Sequence, residues 1–253
     1  MDTTLRVSIC QIKVVAGERE GNLNRVERAL EVAASQRSQL AIFPESAILG
    51  WLNPDAHHLA DPIPGRDSDR LCDLAKSVGC AMVIGLDERQ DGNLFGAAVA
   101  VCAQGELVAV HRKFRVLPEL MDPPYTPGHC HHATVAEFSF GKVAILVCAD
   151  TFEPEAIASV RASGASILAV PYGWVAEPED WPDHGERLRA LVCRLAIELD
   201  CAVVGVDSLG EVAAGPWKGR KFCGASTAAD RRGNPMTDRQ FSKTFIQTVE
   251  VEV

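Results

Sequence analysis

The chain has 253 residues, 47% of them hydrophobic and 23% charged, a balance that suits one large folded domain and excludes a disordered, collagenous or coiled-coil chain. Lys plus Arg total 25 against 34 Asp plus Glu, and the resulting net charge of −9, with no basic run to offset it, argues against a nucleic-acid partner. No apolar run approaches the roughly 20 residues that a membrane helix needs, and the N-terminal stretch lacks the basic-then-apolar layout of a secretion signal.

Leu5–Ile12 alternates and predicts a strand. Leu23, Val26, Ala29, Leu30 and Ala33 follow at helical spacing, and Leu40–Pro44 reads as a short buried strand. Leu71, Leu74, Ala75 and Val78 mark a second helix, stopped by Gly79. Strands are expected at Cys80–Asp87, Ala97–Cys102 and Glu106–His111, and the turns Asp91-Gly92-Asn93 and Gln104-Gly105 predict antiparallel hairpins between them. A Pro-rich loop from about Leu117 to His132 then interrupts the order, and loops of this length in a compact domain are more often functional than idle. Strands Ala133–Phe138 and Lys142–Val147 follow, then a helix from Pro154 to about Ala162 with Gly164 as its stop, and a buried strand at Ile167–Pro171. Asp183 and Glu186 read as the capping-box pair of a long helix carrying Leu188, Leu191, Val192, Leu195 and Leu199 on one face. Strands Ala202–Val206, Cys223–Ala229 and Phe245–Val251 complete the chain. Helices and strands alternate with no composition break, so the expectation is a single α/β domain over residues 1–253, with helices outside the sheets. The order of elements from Lys142 onward resembles that of the first half, which suggests an internal pseudo-two-fold.

The nine cysteines are odd in number and contain no Cys-x-x-Cys pair. Cys10, Cys80, Cys102, Cys193 and Cys201 lie in apolar runs, where cysteine behaves as a small buried hydrophobe. Without a secretion signal this reads as a reduced, cytoplasmic protein.

Three segments carry residues suited to chemistry. In Lys142–Glu155 a buried strand runs directly into Cys148 and the chain then turns into a helix, so the thiol faces the helix's positive end and free backbone N–H groups. Glu45 follows the strand at Leu40, at the sheet edge where α/β folds place ligand-contacting groups. Lys113 ends a strand and opens the Pro-rich loop, with Glu119 six residues on. Each has a plain structural alternative: a core cysteine, a solvated loop charge, a surface cation. A fourth segment, His129-Cys130-His131-His132, has enough imidazole and thiol to bind zinc, but adjacent residues rarely converge on one centre. No Gly-x-Ser-x-Gly elbow and no phosphate-binding Gly-rich loop occurs.

Taken in order, Phe43-Pro44-Glu45, Arg112-Lys113 before a loop ending in Pro127-Gly128, and Cys148-Ala149-Asp150 resemble the carbon–nitrogen hydrolase, or nitrilase, superfamily. The resemblance continues through Gly173-Trp174, the Cys193–Glu198 helix segment and Phe222–Ser226, nearly the whole chain. It implies a four-layer αββα sandwich, pairing into a homodimer or higher homo-oligomer, and a Glu45–Lys113–Cys148 triad assisted by Glu119, with Asp122 as the alternative. Glu45 would be the general base, Cys148 the nucleophile, and Lys113 with the Ala149 backbone N–H the oxyanion donors, with no metal or organic cofactor. Trp51 and Trp174 follow strands at the triad and are candidate substrate contacts, whereas Trp181 and Trp217 read at least as well as packing residues. The chain departs from the family pattern after the cysteine, where Ala149 replaces a bulky residue and an arginine is missing, and at Asp207, where asparagine is usual. These departures bear on the substrate. A small amide fits best, with a carbamoyl compound or a nitrile as alternatives. A catalytically silent binding module of the same fold is the reading from another class.

Overall fold

The computed structural model describes residues 4–253. The first half forms β1 (Thr4–Gln11), α1 (Arg19–Ser35), β2 (Leu40–Ile42), a single-turn α2 (Ala56–Leu59), α3 (Arg66–Val78), β3 (Ala81–Gln90), β4 (Asn93–Val101) and β5 (Leu107–Arg112). The second half forms β6 (Thr134–Phe138), β7 (Gly141–Ile145), α4 (Pro154–Ser163), β8 (Ile167–Pro171), β9 (Val175–Ala176), α5 (Asp183–Leu199), β10 (Ala202–Val206), β11 (Leu209–Glu211), β12 (Lys221–Cys223), β13 (Thr227–Ala229) and β14 (Phe245–Glu252).

Two sheets stack face to face. One has the order β14-β1-β2-β3-β4-β5, the other β13-β10-β8-β7-β6. In the first, β1, β2 and β3 are parallel, with β14 and β4 antiparallel on either side. In the second, β7, β8 and β10 are parallel, with β6 and β13 antiparallel on either side. This repeated parallel core between antiparallel flanks is the pseudo-two-fold that the element order suggests.

The period-two side-chain alternation of β1 shows how the layers separate. Leu5, Val7 and Ile9 join the core shared by both sheets and the helices α4 and α5, while Cys10 packs with Leu23, Val26 and Leu30 of α1 and Leu71 and Leu74 of α3. Helices therefore cover both outer faces, giving the expected αββα sandwich. Each fully buried Leu, Ile or Val in these layers contributes about 1.5–3 kcal/mol relative to exposure.

Both predicted helix stops hold, since Gly79 and Gly164 each adopt φ 66°, the left-handed conformation that glycine takes without a Cβ penalty. Two local expectations are corrected. Cys223–Ala229 is not one strand: Gly224 turns the chain at φ 68°, and β12 and β13 lie in different sheets. A Cβ on Gly224 would sit 2.3 Å from the Gln11 side chain, which accepts the Ser226 N–H at 3.2 Å. Asp183 and Glu186 do not form a capping box, because Asp183 is already the first helical residue and Pro182 occupies the cap. Both carboxylates stay in the first turn, where they favour the helix's positive end, and Glu186 pairs with Arg239 at 3.2 Å. A small third sheet, β11-β12-β9, was not anticipated, and it brings Glu211 and Phe222 close to Glu45. Among the described residues no helix is long and apolar enough to cross a membrane.

Candidate active site

The parallel strands of both sheets run out toward a common region, and the residues just past their carboxyl ends assemble there, as open α/β sheets arrange their ligand groups. Glu45 follows β2, Cys148 follows β7, Tyr172-Gly173-Trp174 follows β8 and Asp207 follows β10. Lys113 comes from the adjacent hairpin edge, directly after β5. The Glu45 turn is pressed so closely on β3 that a Cβ at Gly85 would lie 2.5 Å from the Glu45 Cα, and the Glu45 N–H donates to the Tyr172 carbonyl at 3.3 Å.

Glu45 and Lys113 are buried, at 3% and 4% exposure, too dry for the solvated-charge alternatives, and Cys148 is buried at 7%. Lys113 Nζ donates to Glu45 Oε1 at 2.6 Å. Glu45 Oε2 is buried with no hydrogen-bond partner among the described residues, so the carboxylate has one oxygen committed to the lysine and one free to take a proton. Gly173 leaves the room for that oxygen, since a Cβ there would sit 2.9 Å from it. Burial works to lower the Lys113 pKa, but the charges of Glu45, Cys148 and Asp150 outweigh it and hold the ammonium above its usual value. Burial and the Glu45 charge push the Cys148 thiol up to about 12, against the pull of Lys113 and of the Gly173 N–H. At neutral pH the cysteine therefore rests as a thiol and needs a proton acceptor before it can attack.

Cys148 itself has φ 45°, a left-handed conformation that costs a non-glycine residue about 1–3 kcal/mol and that here turns the chain sharply out of β7. The turn is a five-residue 3-10 helix, Cys148–Phe152, and the α-helix begins only at Pro154, so the α-helix dipole expected at the thiol starts six residues later. The Ala149 N–H has no backbone or side-chain acceptor among the described residues, which leaves it open for a ligand oxygen.

The family model for carbon-nitrogen hydrolases matches residues 6–253. The chain belongs to the carbon–nitrogen hydrolase family. A nitrilase of Pyrococcus abyssi is 24% identical over 255 residues, covering 98% of this chain and 90% of that one. Several plant relatives named as nitrilases are longer, and the chain spans 61% of their length. Among solved structures, a carbon–nitrogen hydrolase from Helicobacter pylori superposes with a TM-score of 0.87 at 22% identity, covering 98% of this chain and 89% of that one. A variant of an amidase from Nesterenkonia, showing covalent addition of the acetamide moiety of fluoroacetamide at its active-site cysteine, superposes at 0.82 with 20% identity, covering 98% and 90%.

Not every candidate of this carbon–nitrogen hydrolase converges. Glu119 lies in the 3-10 turn Pro118–Leu120, which buries Leu120 and leaves the carboxylate exposed, and it makes no ion pair among the described residues. Asp122 is exposed as well. Lys113 is thus not held between Glu45 and Glu119, and Glu45 is the carboxylate in contact with it. Trp51 does reach the site: it is buried beside Glu45, its ring centroid 5.7 Å from Lys113 Nζ, and it meets Trp217 and Phe222 edge-on. The Trp174 ring stacks on His184 at 4.8 Å and lies 6.3 Å from Phe152, which ends the turn that begins at Cys148, while its backbone N–H donates to Asp207 at 2.8 Å. His129–His132 is exposed, with His131 stacked on Phe114, and no group of three or more His, Cys, Asp or Glu is arranged to hold a metal among the described residues.

Three buried carboxyls surround the triad. Asp150 Oδ1 accepts the Phe114 and Arg115 N–H groups at 3.1 and 2.8 Å, and its Oδ2 accepts the Val147 N–H at 3.2 Å and pairs with His111 Nε2 at 2.9 Å. It thereby ties the chain just after Lys113 to the chain just before Cys148. Asp207 accepts the Trp174 and Ala225 N–H groups at 2.8 and 3.2 Å, and burial still pushes it up to about 8. Asp87 accepts hydroxyls from Ser46 and Tyr125, and burial pushes it up to about 7. Only the place of Asp150 in the Cys-x-Asp motif and the Asp-for-Asn at 207 marked these in the sequence; the His111 and Asp87 contacts join residues 39 and 38 positions apart and leave no local signal.

Two cavities of about 10 Å³ flank Glu45, each the room that one water needs. A wider depression of about 500 Å³ beside Cys201 and Asp230 lies away from the triad.

Proposed function

We propose that the protein hydrolyses the C–N bond of small uncharged amides, R–CO–NH2, to the acid and ammonia through a thioester on Cys148. The observation that carries this is the free, buried Glu45 Oε2 beside a thiol that cannot ionise unaided. Glu45 takes the thiol proton as the sulfur attacks the carbonyl carbon. The negative oxygen is met by the Lys113 ammonium and the Ala149 N–H, both fixed before the reaction begins. Glu45 returns its proton to the departing nitrogen, ammonia leaves, and Cys148 holds the acyl group as a thioester. Glu45 then draws a proton from water as that water attacks, and the acid and the free thiol are restored. The Nesterenkonia amidase with its acetamide adduct has the same fold and supports the amide reading.

Trp51, Leu52, Val116, Leu117 and Tyr125 line one of the two cavities beside Glu45, with Lys113 as the cation there. Lys113 is paired with Glu45 and serves the oxyanion, so this lining has no second cation to neutralise a substrate carboxylate, which disfavours N-carbamoyl amino acids. The nitrilase names of several relatives favour a nitrile as the second reading. The test is ammonia release from a panel of short amides, N-carbamoyl amino acids and nitriles. Amides should be turned over fastest, with activity unaffected by a strong chelator and ended by iodoacetamide. Faster turnover of nitriles or carbamoyl compounds overturns the assignment, and activity lost to chelator and restored by zinc overturns the mechanism.

A further inference from the structure

Tyr125 sits in the Pro-rich loop yet is buried, and it lines the cavity shared by Glu45, Trp51 and Lys113. The loop is pinned just past it, by Thr126 N–H to the Leu94 carbonyl at 2.7 Å and Gly128 N–H to the Lys113 carbonyl at 2.9 Å. Its hydroxyl is committed as well, donating to Asp87 Oδ1 at 2.8 Å. The same oxygen accepts the Ser46 hydroxyl at 3.1 Å, and Ser46 directly follows the base and is itself held at φ 44°. Asp87, on β3, thus fastens one wall of the cavity and the turn that carries Glu45 to a single point. With its hydroxyl spent on Asp87, Tyr125 offers the cavity a fixed ring and no free polar group.

We propose that Tyr125 is the specificity-determining residue that limits the length of the acyl chain, and that Asp87 is the positioning residue that locks its ring in place. The inference rests on the amidase reading of the same site. It differs from a role in packing alone, which would lower activity on all amides alike. Hydrophobic pockets discriminate by about 10- to 200-fold per methylene, so moving the wall must change the ranking of a homologous series.

The experiment measures kcat/KM for acetamide, propionamide, butyramide and pentanamide with the full chain and with Y125A, Y125L, Y125F, D87L and D87N. Y125A, or Y125L if Y125A does not fold, should raise the pentanamide-to-acetamide ratio by about tenfold or more. Y125F and D87L should raise it by similar, smaller factors, and the double variant should add little, because each cuts the same hydrogen bond. D87N keeps an acceptor oxygen and should retain the wild-type ratio. A folded Y125A or Y125L with an unchanged ratio overturns the proposal, as does D87N behaving like D87L. If the wild type turns over none of the series, protection of the Cys148 thiol from iodoacetamide by the same amides replaces turnover as the readout. A chain-length limit on protection that relaxes in Y125A then supports the wall while sinking the amidase reading, and the same limit in both proteins overturns the wall.

Discussion

Replacing Cys148 with Ala is expected to abolish turnover, lowering kcat by at least about 10⁴-fold, the scale seen when a covalent nucleophile is removed. The folded state should survive, because Cys148 is small and alanine meets the same left-handed backbone cost at φ 45°. The stability change should stay near the typical ~1 kcal/mol of a single substitution. Burial alone does not distinguish this thiol. It also pushes Cys80 and Cys201 up to about 11 and Cys10 well above its ordinary value. What sets Cys148 apart is its company: the charges of Glu45 and Lys113 both act on it, and those two groups are joined at 2.6 Å. Alanine at Cys10, Cys80 or Cys201 should therefore cost stability and leave kcat close to wild type. Steady-state kinetics and circular dichroism on the same samples separate the two effects, and undiminished turnover in the Cys148 variant sinks the mechanism.

Lys113→Arg should fail despite keeping the charge. The ammonium is a compact donor that reaches Glu45 Oε1 and leaves room for a substrate oxygen, whereas a guanidinium is a wide planar fork suited to gripping a carboxylate with two bonds. Lys113 is buried between the Glu45 turn, Trp51 and the backbone at Gly96, so the larger head group has nowhere to go except across Glu45. Losing one oxyanion donor costs about 10²–10³ in rate, and a misplaced base adds to it. A Lys113→Arg protein that keeps its fold and most of its kcat on the best amide would require the oxyanion role to be withdrawn.

The parts legible in the sequence are those written into contiguous residues. Apolar runs such as Leu40–Ile42 and Ile167–Pro171 show where strands end, and a place past such an end made Glu45, Lys113 and Cys148 candidates, while the order of the motifs around them, shared with a known family, joined them into one triad. What stays hidden is decided by contacts across the chain. Cys223–Ala229 has the apolar character of a continuous strand, and only the Gln11 side chain, more than 200 residues away, shows why Gly224 must turn. Glu119 has a suitable charge and spacing, but the Pro118 turn rotates its neighbour Leu120 into the core in its place. The acid residues that brace the site, Asp87 and Asp150, work through backbone amides and a tyrosine that no spacing rule connects to them.

The most direct measurement of the central claim is peptide mass spectrometry on the protein acid-quenched during turnover of its best amide. The mechanism predicts one acyl group, carried as a hydroxylamine-labile thioester on the peptide containing Cys148. An acyl group on any other residue, or a Cys148 peptide that stays unmodified at every time point of active turnover, would contradict it.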